Sequence, residues 1–127
     1  MKKHKNGLHL RPNFLIVGAA KAGTTSAAKY LNEHPDIFIP EKKELRFFVR
    51  DVIQKINPKD PLLSGIYKQS TFDEKKYFEI FQVQSKLSGE ASVHYLYHFE
   101  EAIPQIKKYV GDIPIIIFLR NPVKRAI

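Results

Sequence analysis

The stretch Phe14–Ala27 reads Phe-Leu-Ile-Val-Gly-Ala-Ala-Lys-Ala-Gly-Thr-Thr-Ser-Ala. Its start, Phe14–Val17, predicts a buried parallel strand, because a continuous apolar run is typical of a strand covered on both faces. Small residues then predict a tight loop, followed by a helix that extends to about His34 with Thr24 or Thr25 as its cap. A strand, a glycine loop and a helix N-terminus together form an anion site, since the first N–H groups of the helix point at the docked group.

The loop nearly fits the nucleotide-binding pattern G-x-x-x-x-G-K-[ST]. Gly18 and Gly23 have the required spacing, but Thr24 stands where the lysine is expected, and Lys21 precedes the second glycine. A metal–triphosphate site needs a lysine directly before the hydroxyl residue that holds Mg²⁺. The displaced lysine argues against such a site, and a glycine loop that serves close packing alone is the structural alternative.

Further segments continue the alternation of strands and helices. The sequence predicts strands at Ile37–Ile39, Leu87–Ser92 and Ile113–Leu119, and helices after Asp73 as far as Phe81, over Phe99–Tyr109 with a defect or break at Pro104, and from Asn121-Pro122. Residues 51–72 are predicted to be an irregular excursion with one short helix. This order indicates an α/β fold, a parallel sheet with flanking helices. Because ligands bind beyond the carboxyl ends of such strands, we expect the Lys21 loop and Arg120 to face one crevice.

Composition limits the classes of protein that fit. The 127 residues suffice for one domain, which we place at 13–127 after a flexible basic leader at 1–12, and the absence of cysteine excludes a disulfide scaffold. The net charge of +8 favours a polyanionic partner such as a nucleotide, a nucleic acid or an acidic polymer. The apolar runs are too short to span a bilayer, so a cytoplasmic protein is expected.

Two segments resemble the donor-binding elements of sulfotransferases that use PAPS (3′-phosphoadenosine 5′-phosphosulfate). Lys21–Ser26, after Phe14–Gly18, resembles the family's 5′-phosphosulfate loop. Phe118–Ile127 resembles its second element, a strand that ends in arginine before Asn/Asp-Pro and a basic helix start. The resemblance implies a P-loop NTPase-like fold, PAPS as donor, adenosine 3′,5′-bisphosphate as product and no metal. It implies donor contacts from Lys21, Ala22, Gly23, Thr24, Thr25, Ser26 and Arg120, with Arg120 on the 3′-phosphate.

The acceptor side is carried by two further resemblances. Lys42–Phe48 is similar to a segment of glycosaminoglycan-type sulfotransferases in which a glutamate is the general base. The resemblance implies this role for Glu44. It also implies that Lys21 is catalytic and stabilises the leaving phosphate. Arg46 stands where that segment usually has histidine. Gly89–Leu96 resembles a stretch near the acceptor. There, Glu90 is a candidate to orient substrate groups or a buried ion partner, and His94 is a candidate second base or a packed side chain.

These observations favour transfer of a sulfuryl group to a hydroxyl or amine of a small-molecule or carbohydrate acceptor. A P-loop nucleotide kinase or NTPase with an atypical loop is one alternative. A basic nucleic-acid-binding module is another, although the aromatic residues follow core-like helical spacing rather than basic residues. The family pattern continues past Ile127, so the resemblance implies a truncated chain, the amino-terminal half of a domain, that binds PAPS weakly alone.

Overall fold

A four-stranded parallel sheet forms the centre of the molecule. The computed structural model describes residues 11–19, 22–41, 44–57, 59–81 and 87–120. The strands are β1 (Phe14–Gly18), β2 (Ile37–Phe38), β3 (Leu87–Ala91) and β4 (Ile115–Ile117), in the order β2-β3-β1-β4. Every neighbouring pair is parallel, which confirms the predicted α/β fold.

Helices connect and flank the strands. They are α1 (Thr24–Asn32), α2 (Arg50–Ile53), α3 (Ser64–Gln69), α4 (Glu74–Glu79), α5 (His94–Tyr97) and α6 (Phe99–Tyr109), with a 3-10 turn at Phe47–Val49 before α2. The Asp73 carboxylate accepts the N–H groups of Lys75 and Lys76, which confirms its predicted capping role. The stretch predicted to hold one short helix holds part of α2 and all of α3, and α6 continues through Pro104 without a break.

The start of α1 differs from the prediction. Gly23, not Thr24 or Thr25, is the capping residue, and no side chain caps the helix. Its φ of 87° lies in the left-handed region that glycine adopts without steric cost. Thr24 is buried as the first helical residue, whereas Tyr30 on the same helix is 70% exposed.

The sheet separates two apolar clusters. Leu15 and Val17 face a large aromatic cluster, while Ile16 faces a smaller one, because successive side chains of a strand point to opposite faces. In the larger cluster Phe47 stacks on Tyr77 with ring centres 4.3 Å apart. Pro12 is fully buried as well, so the packed domain includes this residue.

Strand register brings three carboxyl ends to one edge of the sheet. Ile16 pairs with Ala91 of β3 and also with Ile116 of β4. Gly89 leaves room for the Phe14 ring on β1, because a Cβ at position 89 would lie 2.1 Å from this ring and would force it to move. The ends of β3, β1 and β4 therefore lie side by side, where ligands of parallel sheets bind.

Candidate active site

The loop after β1 is joined to the chain after β4. The N–H of Ala19 donates to the Phe118 carbonyl at 2.9 Å, and the N–H of Phe118 donates to the Gly18 carbonyl at 2.8 Å. Arg120 follows two residues later. The start of the loop after β1 and the chain after β4 therefore lie next to each other, and β4 ends at Ile117, before the predicted end of this strand at Leu119. Lys21 lies outside the described residues, as does the predicted helix start at Asn121-Pro122.

The N-terminus of α1 supplies the backbone donors of this loop. The N–H of Ala22 donates to the Ala19 carbonyl at 3.2 Å. This N–H, which the resemblance assigns to the donor molecule, therefore forms a hydrogen bond within the loop. The N–H of Ala27 donates to the Gly23 carbonyl at 3.0 Å. The N–H groups of residues 24–26 precede it, where an α-helix offers no internal acceptor. Thr25 and Ser26 are exposed there.

Glu44 lies at the end of β3. Its N–H donates to the Ala91 carbonyl at 3.2 Å, and its φ is 57°. Its carboxylate oxygens accept the N–H of Val93 at 3.1 and 3.4 Å, and Oε1 lies 3.5 Å from His94 Nδ1. The Glu44 side chain is 25% exposed. The Glu44 carboxylate is therefore held by the Val93 N–H and is partly open to solvent beside the end of β3.

Arg46 lies two residues after Glu44 and is buried. It also has a φ of 57°, and its side chain is buried. Its backbone N–H donates to Ser92 Oγ at 3.2 Å, and its Nε donates to His94 Nδ1 at 3.1 Å. Its Nη1 donates to the Ile66 carbonyl and to Ser70 Oγ, each at 3.3 Å. Burial lowers the pKa of the Arg46 guanidinium, and the nearby Glu44 carboxylate opposes that shift.

Glu90 is the second carboxyl group of this region, and it lies inside the protein. It is 1% exposed. It accepts hydrogen bonds from the Tyr77 hydroxyl, from Ser92 Oγ at 2.7 Å and from the Tyr95 hydroxyl at 2.7 Å. Burial raises the pKa of Glu90, although these three hydrogen bonds act in the opposite direction. Glu90 is therefore buried as the alternative expected, but its partners among the described residues are hydroxyl groups rather than the cation of an ion pair.

Sequence reasoning missed the partners of both carboxyl groups. The sequence alone identifies none of Tyr77, Tyr95 and Ser92 as a hydrogen-bonding residue. Burial raises the pKa of Tyr77 and of Tyr95 well above the usual value for tyrosine, and the nearby Glu90 carboxyl group adds to both shifts. The one signal available was a glutamate inside a strand, since a buried carboxyl group requires hydrogen-bond donors.

Within residues 11–19, 22–41, 44–57, 59–81 and 87–120, no cluster of three or more histidine, aspartate or glutamate side chains could hold a metal ion. In the same residues no helix is both long enough and apolar enough to cross a membrane.

Fold and site define an α/β protein whose β1–α1 loop lies at the carboxyl edge of a parallel sheet, and its fold is similar to that of a sulfotransferase. A sulfotransferase from Alicyclobacillus acidocaldarius has a similar fold, with a TM-score of 0.78 and 42% sequence identity over 91% of this chain and 47% of that one. The membrane-associated sulfotransferase kil1 of Dictyostelium discoideum is 30% identical over 118 residues, which are 91% of this chain and 22% of that protein. No family model matches the sequence. The two similar proteins support a sulfotransferase family, and the chain spans less than half of either.

Proposed function

We propose that this chain carries the donor loop and the general base of an enzyme that moves a sulfuryl group from PAPS to a hydroxyl or amine. The acceptor is a small molecule or a carbohydrate. One observation carries the proposal: the start of α1 and Arg120 follow the carboxyl ends of β1 and β4, and Glu44 is hydrogen-bonded to Ala91 at the carboxyl end of β3, the other neighbour of β1. The similarity to two sulfotransferases supports it independently.

The described residues fit the anionic groups of the donor. A Cβ placed on Gly23 would meet no atom within 4 Å, so the backbone there is open to a ligand. The N–H groups at the start of α1 and the positive end of its dipole favour a phosphate or sulfate group. Arg120 supplies a guanidinium, the side chain best suited to bind phosphate through two hydrogen bonds.

In this mechanism the acceptor oxygen or nitrogen forms a bond to sulfur while the bond from sulfur to the 5′-phosphate oxygen breaks. The electron pair of the broken bond stays on that phosphate oxygen. Lys21 and the backbone N–H groups of residues 23–26 stabilise the charge that develops there. Glu44 accepts the proton that the acceptor loses, and Val93 keeps its carboxylate in place.

Backbone NMR titration of the 127-residue chain tests donor binding. Adenosine 3′,5′-bisphosphate is expected to shift the amide signals of residues 22–26 and 118–120, and the method detects even a Kd of about 1 mM. ATP–Mg²⁺ and single-stranded DNA are titrated in parallel. Shifts with ATP–Mg²⁺ but not with the bisphosphate would favour the kinase or NTPase alternative, and shifts with DNA alone would favour the nucleic-acid-binding module.

Charge-matched variants separate specific binding from the general effect of a basic protein. Arg120→Ala is expected to weaken bisphosphate binding about tenfold, since a hydrogen bond to a charged group contributes roughly 1.5–3 kcal/mol. Lys107→Ala removes the same charge from an exposed position on α6 and should leave binding unchanged. Lys21→Ala should abolish any sulfuryl transfer from labelled PAPS, whereas Lys29→Ala in the last turn of α1 should not. Equal losses in both members of a pair would contradict the proposal.

A further inference from the structure

Two groups compete for one nitrogen of His94. Nδ1 lies 3.1 Å from Arg46 Nε and 3.5 Å from Glu44 Oε1. A neutral imidazole nitrogen either carries a proton and donates or presents a lone pair and accepts. A proton on Nδ1 would satisfy Glu44 but would face the N–H of Arg46, which cannot lose its own proton. A lone pair on Nδ1 satisfies Arg46 at a distance within the normal hydrogen-bond range, whereas 3.5 Å exceeds that range.

Several hydrogen bonds fix the position of Arg46, and this favours the hydrogen bond from Arg46 Nε to His94 Nδ1 over one from His94 to Glu44. The side chain is 5% exposed. Its Nη1 is fixed by the Ile66 carbonyl and by Ser70 Oγ, and its backbone N–H is fixed by Ser92 Oγ. A guanidinium can make these contacts and reach His94 at once because its donors diverge in one plane, which a lysine ammonium cannot reproduce.

We propose that Arg46 is the positioning residue of the candidate base: it fixes His94 as the neutral tautomer with its proton on Nε2, so that His94 does not donate to Glu44. The inference deepens the proposed function and rests on it for the role of Glu44. The Glu44 carboxylate then accepts the backbone N–H of Val93 as its hydrogen-bond donor among the described residues. The His94 imidazole then occupies no lone pair of the Glu44 carboxylate, which can accept a proton from the acceptor.

Long-range ¹H–¹⁵N NMR spectra of the histidine-labelled chain test the proposal at neutral pH. The wild-type spectrum is expected to show His94 with Nδ1 unprotonated and Nε2 protonated. In Arg46→Lys, Nδ1 loses its donor, and a proton on Nδ1 that donates to Glu44 becomes the expected form. Arg50→Lys is the matched control, since Arg50 contacts the Phe47 carbonyl and the Tyr109 hydroxyl and has no contact with His94 among those described. Its spectrum should match the wild type.

A wild-type His94 with a proton on Nδ1 would overturn the proposal, and this result does not depend on the folding of any variant. An unchanged His94 pattern in Arg46→Lys would overturn it as well. Where transfer is measured, Arg46→Lys should lower kcat about tenfold and leave the KM for the donor unchanged. If Glu44→Gln transfers normally while the tautomer is as expected, the proposed role of Glu44 fails and the positioning of His94 by Arg46 remains.

Discussion

Two glutamates near the end of β3 have opposite surroundings. Glu90 is fully buried and accepts three hydroxyl groups, whereas Glu44 is 25% exposed and accepts one backbone N–H. Ser92 connects the two regions, because its Oγ donates to Glu90 and accepts the N–H of Arg46. The comparison shows that the difference in burial gives the two carboxyl groups different roles. The inner carboxyl group holds together elements on which the outer one depends, and only the outer one can reach a ligand.

The largest effect on stability is expected from Glu90→Ala. The change leaves the hydroxyl groups of Tyr77, Tyr95 and Ser92 without their acceptor. Each unsatisfied buried group costs about 1–3 kcal/mol, so the free energy of unfolding should fall by at least about 3 kcal/mol in urea denaturation. Glu79→Ala, at an exposed site on α4, should change it by less than about 0.5 kcal/mol. A loss below about 1 kcal/mol in Glu90→Ala would show that the inner cluster does not hold the fold.

A smaller effect is expected from Tyr77→Phe, which isolates one hydroxyl of the inner cluster. The phenylalanine ring keeps the stacking on Phe47, so the change removes the hydrogen bond to Glu90 and little else. We expect a loss of about 1–2 kcal/mol in the same denaturation experiment. Tyr30→Phe, on an exposed tyrosine, is the control with no expected loss. A double-mutant cycle with Glu90→Ala should show coupling, and additive losses would mean that the hydroxyl acts independently of the carboxyl group.

The pH dependence of stability distinguishes a protonated from an ionised Glu90. Burial raises its folded-state pKa above the ordinary value of 4.5, so folding favours the protonated form of Glu90 more than the unfolded chain does. Its contribution to stability is therefore complete below pH 4.5 and is lost as pH rises through the folded-state pKa. The free energy of unfolding of the wild type, relative to Glu90→Gln, should fall with rising pH by up to about 1.4 kcal/mol per unit. A relative gain with rising pH would mean that the hydrogen bonds outweigh burial.

The first strand and the helix that follows it could be predicted because their signals are local. The apolar run Phe14–Val17 and the small residues after it lie within one strand–loop–helix unit, and the structure confirms the strand and the helix. The cap was wrong because Thr24 and Thr25 are common capping residues, while the left-handed backbone of Gly23 places the start of the helix one residue earlier than a threonine cap would.

The surroundings of Glu44 could not be predicted in the same way. Its cluster joins segments 46 to 49 residues apart in the sequence, as in the bonds from Arg46 to Ser92 and to His94 and from Val93 to Glu44. It also needs positive φ at both Glu44 and Arg46, which residues with side chains adopt only where the surrounding structure requires it. Such an arrangement exists only after the fold has formed. The resemblance supplied Glu44 as a candidate, whereas the tertiary contacts supply its partners.

The smallest effect on stability, and a large one on function, is expected from Glu44→Gln. The amide oxygen of glutamine can still accept the N–H of Val93, so the free energy of unfolding should change by less than about 0.5 kcal/mol. The amide cannot accept a proton from the acceptor, so any sulfuryl transfer should fall by about a hundredfold or more. Glu41→Gln makes the same change at an exposed position three residues earlier and should alter neither quantity. A loss of stability in Glu44→Gln as large as that in Glu90→Ala would contradict this contrast, and so would an unchanged transfer rate. The contrast requires that Glu90 stabilises the fold and that Glu44 takes part in transfer without doing so.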